Sequence, residues 1–241
     1  MKLRTRFKIA LFTAVALCVV LVMTNALDAD SGRPDSSPNS KVVTDSVLDI
    51  DGNQYTTVTI GAHTWMAENL RVTHYRNGSS ISCVSDDTLW GTLSIGAYCW
   101  YDNDPTNKDT YGALYNFNAV SDSCGLCPEG WHVPTESEWH ELVAHLGGEI
   151  VAGGKMKETG TAHWKNPNIG ATDESGFHGL PGGGRGRISG SGNIGEYATW
   201  WSSTSYDSIY AWHWGLYRGN EKVRFNPGHK ASGFSVRCVK D

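Results

Sequence analysis

The sequence CPEGWHVPTESEWHELVAHLGG, residues Cys127–Gly148, contains a complete set of signals for one helix. Thr135 and Glu138 have the spacing of a capping box, in which each side chain bonds a free backbone N–H of the first turn. Gly147 supplies a residue that tolerates the left-handed conformation in which many helices end. Between these signals, apolar residues repeat with the helical period at Trp139, Leu142, Val143 and Leu146. The segment therefore predicts an amphipathic helix that buries a tryptophan-led face against the rest of the chain.

Outside this helix the sequence predicts short strands joined by long loops. Tyr55–Ile60 and His63–Leu70 alternate around a Gly-Ala turn, as the two arms of a hairpin do. Ser208–Tyr217 and Lys222–Phe225 alternate around a Gly-Asn turn, and Gly233–Val239 is a last alternating segment. With 28 glycines and 10 tryptophans among 241 residues, the composition favours strands and ordered loops over helices. We therefore expect the α+β fold class.

The N-terminal part of the chain does not have the composition of a folded domain. Residues 1–26 combine a basic start, an apolar run at Ile9–Met23 and a small residue at Ala26, as a secretory signal peptide does. The apolar run is shorter than the ~20 residues that a membrane-spanning helix needs. We expect a cleaved signal peptide, with an uncleaved N-terminal anchor as the alternative and the one route to membrane contact. Residues 27–46 are rich in Asp, Ser, Pro and Asn and predict a disordered linker, so the domain is expected at 47–241, exported from the cell or held at the envelope surface.

Five cysteines follow the signal segment, and in an exported protein they are expected to form disulfides. A bridge between Cys127 and Cys238 would join the start of the helical segment to the last strand. It would close a loop of roughly 110 residues and contribute about 4–5 kcal/mol in the chain-entropy model. Cys83–Cys99 is the next expected bridge, which leaves Cys124 as the spare thiol.

Three motifs that resemble catalytic or cofactor sites do not keep the required form. His140 and His145 are five residues apart on the predicted helix, so their rings diverge and cannot share a zinc ion as in HExxH. Cys124–Cys127 is a CxxC motif, but Pro128 follows it where a redox motif needs a helix. Gly182–Gly186 lacks the Lys-Ser/Thr ending of a phosphate loop. We therefore expect no catalytic residues and no obligate cofactor.

The loop between residues 102 and 109 is a possible calcium site. Carboxylate and amide oxygens are the ligands that Ca²⁺ prefers, and this loop offers them at Asp102, Asp104, Asn107 and Asp109. The loop lacks the sixth-position Gly and twelfth-position Glu of an EF-hand. Because Asp, Asn and Pro also favour ordinary turns, a turn without bound metal is the alternative.

The aromatic residues near the C-terminus provide the candidate ligand-binding surface. Tyr210, Trp212 and Trp214 alternate along a predicted strand and are expected to face the core. Trp200 and Trp201 are adjacent and must face opposite sides of a strand, so we expect one of them to point outward or to lie under a loop. An exposed Trp or Tyr can stack on a sugar ring while polar neighbours bond its hydroxyls. The candidate residues are Trp200, Trp201, Tyr206, Tyr217, Arg218, Asn220 and Arg224.

Several blocks of the sequence resemble the Fibrobacter succinogenes major paralogous domain. They are Ile60-Gly61, Trp65–Leu70, Tyr111-Gly112, Leu114-Tyr115, Cys127–Thr135, Trp200–Thr204 and Gly233–Lys240, in the family's order within residues 47–241. This family of exported bacterial domains is similar to C-type lectins and formylglycine-generating enzymes. The resemblance therefore implies a C-type-lectin-like fold, with short twisted antiparallel sheets, one or two helices and long ordered loops. It also favours the Cys127–Cys238 bridge, because C-type lectins join their first helix region to the last strand in this way.

The resemblance does not by itself imply catalysis or calcium-dependent sugar binding. Formylglycine-generating enzymes hold copper with two cysteines late in the domain, whereas here only Cys238 follows Cys127. The EPN, QPD and WND motifs of calcium-binding lectins are absent, and a net charge of −5 offers no basic surface for nucleic acid. We expect a non-catalytic binding module that contacts polysaccharide or a surface protein through the exposed aromatics and the loops between Gly182 and Gly195. The alternatives are an enzyme distantly related to formylglycine-generating enzymes and a structural envelope protein.

Overall fold

The computed structural model describes residues 45–241, so the predicted signal segment at 1–26 and nearly all of the predicted linker at 27–46 lie outside it. The strands are β1 (Ser46–Leu48), β2 (Gln54–Ile60), β3 (His63–Met66), β4 (Ser82–Cys83), β5 (Ala97–Cys99), β6 (Leu114–Tyr115), β7 (Trp131–His132), β8 (Gly184–Gly186), β9 (Gly190–Gly192), β10 (Tyr197–Ser205), β11 (Tyr210–Tyr217), β12 (Val223–His229) and β13 (Val239–Lys240). The helices are α1 (Asp87–Trp90), α2 (Lys108–Tyr111), α3 (Phe117–Val120), α4 (Glu136–His145) and α5 (Ala152–Met156). Within residues 45–241 no helix combines the length and apolarity needed to cross a membrane.

The predicted helix forms as α4, and its capping box is present. The Thr135 hydroxyl accepts a hydrogen bond from the Glu138 backbone N–H, and the Glu138 carboxylate accepts one from the Thr135 N–H. Gly147 follows the helix with a φ of +101°. The predicted apolar face is buried at Trp139, Leu142, Val143 and Leu146.

The strands form mostly antiparallel sheets, which with the helices confirms the α+β class. One sheet has five strands in the order β1-β2-β3-β13-β7, two have three strands each, β10-β11-β12 and β4-β5-β6, and β8 pairs with β9 alone. The β2–β3 and β11–β12 hairpins are the two that the sequence predicts. Gly233–Val239, predicted as one strand, instead makes isolated bridges to other elements and becomes regular only where β13 begins at Val239. It therefore runs between the sheets rather than along one of them.

Strand β10 separates two hydrophobic cores. Trp200 is 1% exposed and packs in the core that contains Trp139 of α4. Trp201 is 0% exposed and packs in the other core, with its ring centroid 4.5 Å from that of Phe234. Neither tryptophan points outward, so the first of the two predicted arrangements is wrong and burial under another segment is what the structure has. Successive side chains do face opposite sides of the strand, but a core lies on each side.

The buried disulfide confirms one of the two predicted bridges. Cys127 and Cys238 are bonded, and the link joins the segment before α4 to the end of the chain. Cys83 and Cys99 are both free thiols, so the second predicted bridge does not form. Cys83 is exposed and pairs with Tyr98 across β4 and β5, whereas Cys99 is buried. Since neighbouring positions on a strand face opposite sides, Cys99 points away from the side that Tyr98 shares with Cys83. Cys124 is a free thiol, as the sequence predicts.

Candidate functional site

A cleft of about 430 Å³ lies between the β8–β9 hairpin and β10, and we call it the glycine cleft. The hairpin contributes four glycines to its lining, at positions 184, 186, 190 and 192. Tyr197 and Thr199 line it from β10, and Ser232 and Phe234 line it from the segment before β13. The cleft therefore combines peptide backbone, hydroxyl groups and aromatic rings.

Glycines form one face of the β8–β9 hairpin. Gly184 pairs with Gly192 and Gly186 pairs with Gly190, so all four glycines lie on the same face. A Cβ atom added to Gly192 would meet nothing within 4 Å, which shows that the space above this residue is open. The hairpin backbone is therefore accessible to a ligand at Gly192, whereas the Phe234 ring lies against Gly184 and the Asp87 carboxylate against Gly190.

The opposite face of the hairpin is anchored by the buried side chain of Arg185. The guanidinium group donates to the carbonyl oxygens of Val84 and Ser85, both at 2.8 Å. It also pairs with the Asp87 carboxylate at 2.5 Å. Its central carbon lies 4.5 Å from the centroid of the Trp90 ring. These contacts hold the glycine face in place without using any group that points into the cleft.

The wall of the cleft continues across the three-stranded sheet. Tyr197 and Tyr217 are paired across β10 and β11 and their rings stack with centroids 4.6 Å apart. In the next row Thr199 pairs with Gly215, and Gly215 pairs with Arg224 of β12. A Cβ atom on Gly215 would meet only a backbone carbonyl at 3.4 Å. A shallow hollow therefore lies between the stacked tyrosines and Arg224.

Phe234 covers the same sheet face beyond this hollow. Its ring lies 4.8 Å from the His213 ring, centroid to centroid, on the next row of the sheet. Burial lowers the pKa of His213 to about 4, although a hydrogen bond to the backbone at Asn226 acts in the opposite direction. The Nδ1 atom of His213 is buried and has no hydrogen-bond partner among the described residues. His213 is therefore neutral near pH 7 and belongs to the covered part of the face.

The side chains that line the glycine cleft include no carboxylate, imidazole or thiol group. Arg185 is the one basic residue of the lining, and its side chain is bound on the far side of the hairpin. A site that transfers protons or forms a covalent intermediate needs an acid, a base or an activated nucleophile. The cleft instead offers hydrogen-bonding groups and ring faces, which suit recognition of a polar ligand with apolar faces.

Three of the predicted ligand-binding residues lie beside the cleft. Tyr217 stacks on Tyr197, and Arg224 occupies the row of Thr199. Arg218 follows Tyr217, with its guanidinium carbon 5.8 Å from that ring and its Nη1 donating to the Asn166 carbonyl at 2.6 Å.

The other four predicted residues lie elsewhere. Trp200 and Trp201 are buried in the two cores and cannot contact a ligand, so their predicted binding role is wrong. Tyr206 is 54% exposed, but its ring contacts Trp212 at 5.1 Å, away from the cleft. Asn220 lies in the β11–β12 turn, where its carbonyl accepts a hydrogen bond from the buried Lys157 ammonium at 2.9 Å.

Two of the three β11 residues that are predicted to face the core are not fully buried. Trp214 is buried as predicted, but Tyr210 is 39% exposed and Trp212 is half-buried. The strand extends past the end of the core, so its first residues keep the alternating pattern without the burial.

In the predicted calcium loop, several polar groups form hydrogen bonds that stabilise the turn itself. The Asp104 carboxylate accepts the Thr106 N–H at 2.9 Å, and the Asn107 side chain donates to a backbone carbonyl. Asp102 has a φ of +52°, and Asp109 lies 3.9 Å from an arginine nitrogen. Within residues 45–241 no group of three His, Cys, Asp or Glu side chains is arranged to hold a metal ion. Calcium binding at this loop stays a prediction.

The sequence did not identify several cleft residues individually, namely Tyr197, Thr199, Ser232 and Phe234. Two signals were present in the sequence. Glycines at 184 and 186, and again at 190 and 192, follow the period of two that gives a strand one bare face. Tyr197 and Thr199 stand four and two residues before Trp201, and therefore on its side of β10. Neither signal shows that the two segments meet, which depends on contacts distant in sequence.

Taken together, these features define an α+β domain, closed by a buried disulfide, that presents an open polar cleft with aromatic walls. The model of the Fibrobacter succinogenes major domain matches residues 58–240. The chain therefore belongs to this family, as the resemblance of its sequence blocks indicates, and the matched region contains the whole cleft. No curated protein and no solved structure matches the chain.

Proposed function

We propose that this protein is an exported, non-catalytic binding module that holds a polysaccharide in the glycine cleft. The observation that carries the proposal is the composition of the cleft, which pairs an aromatic wall with bare backbone and hydroxyl groups. A sugar ring has an apolar C–H face that an aromatic ring can cover. Its hydroxyl groups can bond to backbone N–H and C=O groups and to serine or threonine. The stacked Tyr197 and Tyr217 supply the first kind of contact and Thr199 the second.

Two further features support the wider proposal of an exported domain with a C-type-lectin-like fold. The Cys127–Cys238 disulfide suits an oxidising compartment. It also ties the segment before α4 to the last strand, as the bridge of C-type lectins does. With the signal-like pattern at residues 1–26, these features favour a place outside the cell or on the envelope surface.

A second candidate function, contact with a surface protein, is favoured by the β10–β11 turn. Tyr206, Ile209 and Tyr210 are 54%, 50% and 39% exposed. Exposed aromatic and branched side chains in one place are typical of protein interfaces. This turn is separate from the glycine cleft, so the two candidates can be tested by different substitutions. The alternative of an enzyme lacks comparable support, because the cleft lining offers no acid, base or thiol.

The proposal is tested by binding of the full-length protein to a panel of polysaccharides, with and without a chelator. Gly192→Val places a side chain in the open space of the cleft, at a residue whose φ is outside the left-handed region. We expect this variant to unfold at the wild-type temperature and to bind at least about tenfold more weakly, a change of ~1.4 kcal/mol. Thr59→Val introduces the same side chain at an exposed position of β2 and should bind normally.

Three outcomes of this experiment are informative. Wild-type affinity in Gly192→Val would exclude the cleft as the binding site. Failure of the wild-type protein to bind any polysaccharide would favour the surface-protein candidate or a structural role in the envelope. If the chelator abolishes binding of the wild-type protein, the loop between residues 102 and 109 would be included in the binding site as a calcium site.

A further inference from the structure

Two arginines near the glycine cleft have no carboxylate partner, although the whole chain has a net charge of −5. Arg187 and Arg224 are exposed. In the part of the chain that the structure describes, the arginines that pair with carboxylates are Arg71, Arg76, Arg185 and Arg218, and neither Arg187 nor Arg224 does so. Two guanidinium groups near the cleft are therefore free to bind an anionic group.

Arg187 lies at the end of the cleft that Ser232 lines. It belongs to the turn between β8 and β9, directly after the cleft residue Gly186. Arg185 and Gly233 form an antiparallel bridge with two backbone hydrogen bonds of 2.8 Å, so the chain from Gly186 to Arg187 runs alongside Ser232. These contacts bring Arg187 to the rim beside Ser232.

Arg224 lies on the far side of the hollow at Gly215. The row Thr199–Gly215–Arg224 crosses three neighbouring strands. Since adjacent strands are about 4.8 Å apart, the Arg224 backbone is about 10 Å from that of Thr199. No side chain stands between them, because the middle residue is glycine. An extended ligand in the cleft can therefore pass over Gly215 and reach Arg224.

Two carboxylates near the cleft are paired with cations, whereas a third, Asp102, is exposed beside Ser191, whose Oγ accepts the Asp102 N–H at 2.9 Å. Glu196 lies 3.1 Å from Lys165 and 3.9 Å from Arg218. Asp87 pairs with the buried Arg185. The two unpaired arginines are therefore not cancelled by Glu196 or Asp87, and Asp102 is a negative charge beside Ser191.

We propose that the polysaccharide held in the glycine cleft is anionic, with carboxylate or sulfate groups bound by Arg187 at one end and Arg224 at the other. The inference rests on the proposed function and names the chemical class of its ligand. Arginine suits this role because its planar group donates two parallel hydrogen bonds to a carboxylate or sulfate. The tyrosine stack and the glycine backbone then bind the sugar ring itself.

The experiment compares two polymers with the same sugar backbone, one with free carboxylates and one with uncharged methyl esters. The full-length protein is titrated calorimetrically with polygalacturonate and with its methyl-esterified form, and a sulfated polysaccharide tests the second acidic group. Arg187→Gln and Arg224→Gln each remove one rim charge. Lys240→Gln removes one charge from an exposed position of β13 and serves as the matched control.

We expect tighter binding to the charged polymer than to its ester. Each arginine variant should weaken that binding about three- to tenfold, and Lys240→Gln should not change it. Raising NaCl from about 50 mM to about 500 mM shortens the screening length from about 14 Å to about 4 Å, so it should weaken wild-type binding more than that of the double arginine variant.

The possible failures of the two proposals are distinct. Equal affinity for the charged and esterified polymers, lost in Gly192→Val, would overturn the anionic ligand and leave the polysaccharide site standing. Charge-dependent binding that Gly192→Val does not affect would show adhesion to another surface and overturn the assignment to the cleft. Unchanged affinity in both arginine variants would overturn the proposal that Arg187 and Arg224 bind the anionic groups. Binding to no polysaccharide would remove both proposals together.

Discussion

Replacing either of the adjacent tryptophans of β10 by alanine tests the two-core architecture. A strand with a core on one side only would lose stability in one of these variants and little in the other. Here Trp200 and Trp201 are 1% and 0% exposed and belong to different cores. We therefore expect Trp200→Ala and Trp201→Ala to be destabilising to a similar degree.

The expected magnitude follows from the buried area and the hydrogen bonds of each indole. A buried tryptophan removes roughly 200 Å² from water, which at about 25 cal/mol/Å² is about 5 kcal/mol. When the indole N–H group is removed, the oxygen that accepted its hydrogen bond still accepts one from a second donor, so no buried acceptor is left unpaired. The Tyr115 carbonyl also accepts from the Phe234 N–H at 3.1 Å, and the Asn69 Oδ1 also accepts from Arg237 at 3.1 Å. Allowing for the retained Cβ, we expect a loss of about 4 kcal/mol in each variant, within the usual range for this substitution.

Urea unfolding followed by circular dichroism measures this loss without relying on tryptophan fluorescence. In a domain of this size a loss of about 4 kcal/mol lowers the melting temperature by about 8–16 °C. Trp212→Ala is the matched control, because Trp212 lies on the same sheet and is only half-buried, and we expect a loss of about 1–2 kcal/mol. A loss under about 1 kcal/mol in either Trp200→Ala or Trp201→Ala would refute the existence of a core on that side of β10.

Two further predictions concern the disulfide and the pH dependence of stability. Replacing Cys127 and Cys238 together by alanine opens a loop with a sequence separation of 111 residues, which should lower the free energy of unfolding by about 5 kcal/mol. Cys124→Ala should have a much smaller effect in the same urea titration, and equal losses would contradict the role of the bridge. Because burial holds the pKa of His213 at about 4, below its value in an unfolded chain, the unfolded state binds more protons between pH 6.5 and 4. The free energy of unfolding should therefore fall by up to about 3 kcal/mol as the pH is lowered across this window. His213→Gln should show a shallower pH dependence. An unchanged slope in this variant would show that other groups cause the pH dependence.

The parts of the fold that the sequence predicts are those encoded by neighbouring residues. The α4 helix has its cap, its apolar period and its stop within one short segment, and the β2–β3 hairpin has its turn between two alternating arms. Strands β4 to β7 and β13 have only two or three residues each. A strand this short has no measurable period, so its pairing is set by contacts distant in the chain.

The sequence predicts only part of the candidate site, because the rest depends on contacts between residues that are distant in the chain. The sequence indicates which side of β10 each tryptophan faces, but it does not indicate what covers that side. Tyr217 and Arg224 were identified because aromatic and basic residues in strands are recognisable as binding candidates. Their partner Tyr197 and the role of Gly215 depend on the pairing register of β10 and β11. The glycine cleft also requires the hairpin to lie against the sheet, which the buried Arg185 secures from a segment about 100 residues away.

The cleft exists because the segment around Phe234, which covers the core that contains Trp201, ends before the sheet does. Phe234 packs on Trp201 and His213, but the next row of the sheet has only Thr199, Gly215 and Arg224, and no element covers it among the described residues. The side chains that stabilise this region therefore differ from those that would contact a ligand. Substituting a core tryptophan should destabilise the domain, whereas substituting an exposed arginine or placing a side chain at Gly192 should change binding alone. If the glycine cleft is the proposed binding site, its ligand choice can thus be altered through the hairpin and the open row while both cores stay intact.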